Sequence, residues 1–131
     1  MKLVSVIIPT KNAGMAFEQT LVKLREQKYD GEIEVVVIDS GSTDCTVKLA
    51  QDYGARVIQI DPKEFDHGLT RNNAIEQSKG EILILISQDV LPADQYLVSN
   101  FVTAFDDAKV AGAYARQLPR DDADVITKRN L

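Results

Sequence analysis

Four short runs rich in β-branched residues alternate with stretches of helical period, and this alternation constrains the fold more than any other feature. The runs are "LVSVII" (3–8), "IEVVVI" (33–38), "ARVIQI" (55–60) and "EILILI" (81–86), each ended by polar, Pro or Gly residues. After the first run Phe17, Leu21 and Leu24 recur at i, i+4 and i+7, and Val47, Ala50 and Tyr53 repeat the pattern more weakly after the second. Gly54 and Gly80 stand where helix C-caps are expected, and Ser42 or Thr43 with Asp44 can cap and charge the second helix. A third helix is expected to begin near Gly68 or Leu69. Leu97, Phe101, Ala104 and Phe105 mark a fourth, and "KVAGAYA" (109–115) reads as a further strand. The pattern predicts an α/β fold with a mostly parallel sheet, with the apolar run 82–86 in its fully covered middle.

A length of 131 residues fits one domain, and 44% apolar with 27% charged residues is ordinary for a globular protein. A formal charge of -5, with no Lys/Arg cluster, argues against a nucleic-acid binder. No apolar run approaches the ~20 residues of a membrane span, and the start "MKLVSVIIPTKN" does not read as a signal peptide, so a cytoplasmic location is expected. The single cysteine, Cys45, has no internal disulfide partner and reads as a packing residue.

Ligands of open α/β sheets bind beyond the carboxyl ends of the strands, where strand order reverses. That rule selects four loops: "PTKNAG", "DSGSTD", "DPKEFDHG" and "SQDVLP". Asp39, at the tip of a strand, either accepts hydrogen bonds from an imide or ribose hydroxyl or simply shapes a turn, while Ser42, Thr43 and Asp44 read as capping residues. The chain has neither GxGxxG nor GxxxxGK[ST], so phosphates must be bound by other means. One solution is Mg²⁺ held by a carboxylate and the substrate's own phosphates, which suits the isolated Asp89; the alternative for Asp89 is a turn carboxylate before Pro92. Arg71 can fork onto phosphate oxygens or be a solvated charge, and His67 can contact a phosphate or a base or be structural.

Taken in order, "VSVIIPTKN", "EVVVIDSGSTDCT", "DHGLTRNNAIEQSKGEILILISQDVLPAD" and "VAGAYARQLPRDDAD" resemble the family 2 glycosyltransferases, and the last two resemble the bacterial rhamnosyltransferase branch. The resemblance implies the GT-A fold, a Rossmann-like three-layer sandwich. It implies that Asp39 bonds the uracil or thymine imide, with Pro9, Thr10 and Lys11 on the opposite side of the base pocket and Ser40 and Gly41 beside it. Arg71 matches a basic residue near the diphosphate, and His67 and Gly68 lie near the same nucleotide. Asp89 matches the last acid of the family's DxD motif, a ligand of Mg²⁺ or Mn²⁺. Here that motif is Ser87-Gln88-Asp89, with Gln88 expected among the nucleotide-binding residues; its first acid is absent, so the family's ribose contact is not carried over to residue 87.

The chemistry implied is inverting transfer from a dTDP- or UDP-linked sugar to a saccharide or lipid-linked acceptor. The chain is expected to be the donor-binding part, residues 1–131, of a longer enzyme, truncated before the acceptor site and the general base. Asp121, Asp122 and Asp124 are read as solvated charges. Peripheral association of a full-length protein with the inner face of the membrane and self-association through an exposed apolar edge are further expectations. The competing reading is a non-catalytic nucleotide- or partner-binding module. A nucleotidyltransferase would want a Gly-rich basic loop after the first strand, which "PTKNAG" is not.

Overall fold

The computed structural model describes residues 2–107, the side chain of His67 excepted. Its strands are β1 (Val4–Thr10), β2 (Ile33–Asp39), β3 (Arg56–Gln59) and β4 (Ile82–Leu85). The helices are α1 (Phe17–Arg25), α2 (Thr46–Asp52), α3 (His67–Gln77) and α4 (Leu97–Ala104), with a short 3-10 turn at Pro62–Glu64. The strand expected at 109–115 and Asp121, Asp122 and Asp124 lie outside the described residues.

All described strand pairs are parallel and the sheet order is β3-β2-β1-β4. Because successive side chains of a strand point to opposite faces, β1 supplies Val4, Val6 and Ile8 to one core and Ile7 to the other. On the first face they meet Phe17, Leu21 and Leu24 of α1, Ala50 of α2 and Val98 of α4. On the second face Ile7, Val36 and Ile38 pack against Ala74 of α3. The result is a three-layer α/β sandwich. Burying a side chain such as Phe17, which is 1% exposed, contributes about 1.5–3 kcal/mol.

Three expectations are corrected. The covered middle of the described sheet is β1 rather than the run at 82–86: β1 pairs on both sides and is walled by helices on both faces, whereas Leu85 of β4 is 46% exposed. Gly54 does end α2 with φ +81, but Gly80 caps no helix. A Cβ on Gly80 would lie 2.5 Å from both the backbone nitrogen and Oγ of Ser5, so glycine is required there for close approach to β1. The packed face of α4 comprises Val98, Phe101, Val102 and Phe105, one position away from the anticipated stripe at Leu97 and Ala104.

Candidate functional site

The chain runs β1 to β2 to β3 outward in one direction, then returns to place β4 on the far side of β1. Strand order therefore reverses between β1 and β4, and a cleft of about 390 Å³ opens at their carboxyl ends. Of the residues expected to bind nucleotide, Pro9, Thr10, Lys11, Ser40, Arg71 and Gln88 line it. Another cavity, of about 270 Å³, lies at the opposite end of the strands near Arg25, Tyr29 and Tyr53 and contains none of the expected site residues.

The loops after β1 and β2 are stitched into one platform. Backbone N–H groups of Asn12, Ala13 and Gly14 donate to Ser42 Oγ, Thr46 Oγ1 and Asp44 Oδ2 at 2.8, 2.9 and 3.0 Å. In return Asn12 Oδ1 accepts from the Thr43 N–H at 2.8 Å, and Lys11 Nζ donates to the Ser40 carbonyl at 3.0 Å. Asp44 Oδ1 accepts from the hydroxyl and N–H of Thr46, which with the Gly14 N–H hold its carboxyl below its ordinary value. Asp44 thus serves the start of α2 as expected. Ser42 and Thr43 do not cap it, because their polar groups are engaged with Asp39 and Asn12.

Asp39 is 1% exposed and stands behind the cleft wall rather than in it. Its Oδ1 accepts the hydroxyls of Thr10 at 2.7 Å and Ser42 at 2.5 Å, and its Oδ2 accepts the N–H groups of Ser42 at 2.9 Å and Gly41 at 3.2 Å. These four donors fill the roughly four acceptor positions of a carboxylate. An imide donor would have to replace one of them, and the hydroxyls of Thr10 and Ser42 are the two donors that can rotate about their C–O bonds while the N–H groups of Ser42 and Gly41 stay bonded.

Across the switch point, the Lys11 N–H donates to Gln88 Oε1 at 2.9 Å while Gln88 Nε2 donates to the Lys11 carbonyl at 3.3 Å. Gln88 therefore joins the β4 exit to the β1 exit. Asp89 follows it, exposed and outside the cleft lining. No group of three or more His, Cys, Asp or Glu residues able to hold a metal occurs among the described residues. A single carboxylate beside a cationic cleft fits a divalent ion delivered with phosphates, and does not fit an all-protein metal cage.

Arg71 projects from the second turn of α3, whose start is fixed by Asp66: its Oδ1 accepts the N–H groups of Gly68 and Leu69, both at 3.0 Å. Gly68 lies in that first turn and outside the cleft lining, and the side chain of His67 lies outside the described residues. Gly41 is not a lining residue either, but its φ of +88 turns the loop beneath Pro62, whose Cγ would be 2.6 Å from an added Cβ. The cleft also contains Pro62, Phe65, Thr70 and Ser87. Of these, only Ser87 is singled out by the sequence. The signals for Pro62 and Phe65 were an Asp-Pro turn start and a lone aromatic in a polar loop, and Thr70 carried none.

The sequence model for glycosyl transferase family 2 matches residues 5–131. The chain belongs to glycosyltransferase family 2. Within that family, it is 38% identical over 125 residues to the O-antigen chain rhamnosyltransferase RfbN of Salmonella typhimurium, covering 94% of this chain and 40% of that protein. Its fold matches Staphylococcus aureus TarS residues 1–349, with a TM-score of 0.73 and 27% identity over 90% of this chain and 39% of the other. The mannosyltransferase PcManGT of Pyrobaculum calidifontis, solved with GDP-Man and Mn²⁺, gives a TM-score of 0.73 and 28% identity, covering 83% of this chain and 34% of that one. The family 2 sandwich described here is accordingly of the GT-A type. The chain spans about two fifths of the length of the relative it matches.

Proposed function

We propose that residues 1–131 form the donor-binding part of an inverting glycosyltransferase that transfers a sugar, rhamnose by its resemblance to RfbN, from a dTDP- or UDP-linked donor. The acceptor is a saccharide or a lipid-linked saccharide, in cell-surface polysaccharide synthesis at the cytoplasmic side of the membrane. The observation that carries this reading is the cleft at the β1/β4 switch point, lined by Lys11 and Arg71 and placed beside the carboxylate of Asp89. Two cations there suit a diphosphate, to which the guanidinium of Arg71 offers paired donors.

The nucleoside end lies by Pro9, Thr10, Ser40 and Gly41, with Asp39 accepting the base imide once the Thr10 or Ser42 hydroxyl yields its place. Gln88 keeps the two strand exits together, and His67 and Gly68 present the start of α3 to the nucleotide. Asp89 would hold Mg²⁺ or Mn²⁺, which supplies Lewis-acid charge to the leaving diphosphate. In the transfer, the acceptor oxygen forms a bond to the sugar C1. The bond from C1 to the diphosphate breaks, the nucleoside diphosphate leaves with the electron pair, and the acceptor proton passes to a general base. No residue of this chain is assigned that last role.

Asp89→Ala tests the reading against a vestigial, non-catalytic fold. Loss of Mn²⁺-dependent uridine diphosphate affinity, with the thermal melt unchanged, supports a working donor site. A variant that binds the nucleotide as the wild type does, with and without metal, refutes it. Self-association through the apolar sheet edge belongs to the same reading, and monomeric elution in size-exclusion chromatography counts against it.

A further inference from the structure

We infer that Phe65 is the surface on which the pyrimidine ring of the donor stacks, an inference that rests on the donor-site reading above. Phe65 lines the cleft while 37% exposed, between a 3-10 turn and the start of α3. Two aspartates fix its backbone. Asp61 caps the turn by accepting from the Lys63 N–H at 2.9 Å, and Asp66 caps α3. The local backbone thus brings an aromatic residue to the cleft, whereas Phe17 is buried in the core.

The neighbours extend this wall. Pro62 precedes it in the same turn, and its ring is pressed over Gly41 closely enough to exclude a Cβ there. Pro9 supplies a further apolar lining residue. Together these are the apolar lining residues of a cleft whose charges are Lys11 and Arg71.

Position along the sheet decides which part of the donor meets this wall. Phe65 follows β3 and Asp89 follows β4, and these strands occupy the two ends of the described sheet. Three inter-strand spacings separate them, about 14 Å. On the donor-site reading the phosphates meet a metal near Asp89 while the base lies by Ser40 and Asp39 at the β2 exit, and β3, which Phe65 follows, is the next strand beyond it on the side away from β4. Stacking tolerates any planar base, so Phe65 contributes affinity and leaves base choice to the polar platform at Ser40 and Asp39.

Calorimetric titration of the full chain with uridine diphosphate and with inorganic pyrophosphate, each with Mn²⁺, tests the inference. Phe65→Ala and Phe65→Leu are expected to weaken uridine diphosphate by about five-fold to a hundred-fold and leave pyrophosphate unchanged, whereas Phe65→Tyr retains wild-type affinity for both. Melting curves identify any variant that fails to fold, and the comparison of Tyr with Leu then stands in for the alanine variant. Undiminished nucleotide binding in Phe65→Leu, or an equal loss for both probes, overturns the stacking role while the donor-site reading stands. A wild-type chain that binds pyrophosphate but no nucleotide overturns both.

Discussion

Lys11 and Gln88, 77 positions apart in sequence, exchange two hydrogen bonds across the point where strand order reverses, at 2.9 and 3.3 Å. The side chain of Gln88 behaves toward the backbone of Lys11 as another peptide group would, extending the β1/β4 pairing beyond the last bridged pair, Ile7 and Leu85. This clasp holds one wall of the cleft to the other.

Gln88→Ala removes both bonds at a partly exposed position and is expected to destabilise the fold by about 1 kcal/mol. The larger effect should fall on ligand binding, since the β1 exit that carries Lys11 is released from β4. Urea denaturation and nucleotide titration of the same variant separate the two effects. Unchanged affinity would show that the clasp is structural only.

Asp39→Asn tests how firmly the platform depends on a carboxylate. An amide presents a donor where the carboxylate has only acceptors, and it would face two of the four donors now satisfied in a buried place. Destabilisation of about 3 kcal/mol is expected, read from the shift of the denaturation midpoint. A variant as stable as the wild type would mean that Asp39 is held for ligand contact alone.

Gly80→Ala should destabilise by about 2 kcal/mol or more, because a Cβ at 2.5 Å from the Ser5 backbone nitrogen forces the main chain to move. Adding Ser5→Ala relieves the hydroxyl clash but not the backbone one. The double variant is therefore expected to remain destabilised, and full recovery of its melting temperature would contradict this.

Glu34 links stability to pH at the opposite end of the sheet. Burial pushes its carboxyl upward, but the Ser5 hydroxyl at 2.6 Å, the Lys79 N–H at 3.0 Å and the charges of Arg56 and Lys79 outweigh that and hold it below its ordinary value of 4.5. A depressed folded-state pKa contributes stability that is present above 4.5 and is lost as pH falls through the lower folded value. Thermal melts taken across the acid range should therefore decline less steeply for Glu34→Gln than for the wild type. Parallel declines would assign acid sensitivity to other groups.

The strands and α1 were legible in the sequence because burial imposes a period on them: Phe17, Leu21 and Leu24 lie where a helical stripe requires, and all are buried. Strand order was not legible. A continuous apolar run is expected wherever both faces of a strand are covered, and only the tertiary crossover put β1 rather than 82–86 at the described centre. The cleft loops were found from the switch-point rule, and six of the expected residues meet there. What the rule could not supply was direction: Asp39 turns inward to donors of its own loop and to the Thr10 hydroxyl at the end of β1, whereas Phe65, in a segment with no periodic signal, turns toward the cleft. Ser42 illustrates the same limit, since its hydroxyl completes Asp39 instead of capping α2.

The central claim is that this chain is a donor site for a nucleoside diphosphate and a divalent ion, and calorimetric titration of the wild-type chain with uridine or thymidine diphosphate tests it most directly. Binding heat is expected in the presence of Mn²⁺ and weaker binding without it, since one carboxylate and the donor's own phosphates share the ion. No heat with either nucleotide at millimolar concentration in the presence of Mn²⁺ would contradict it.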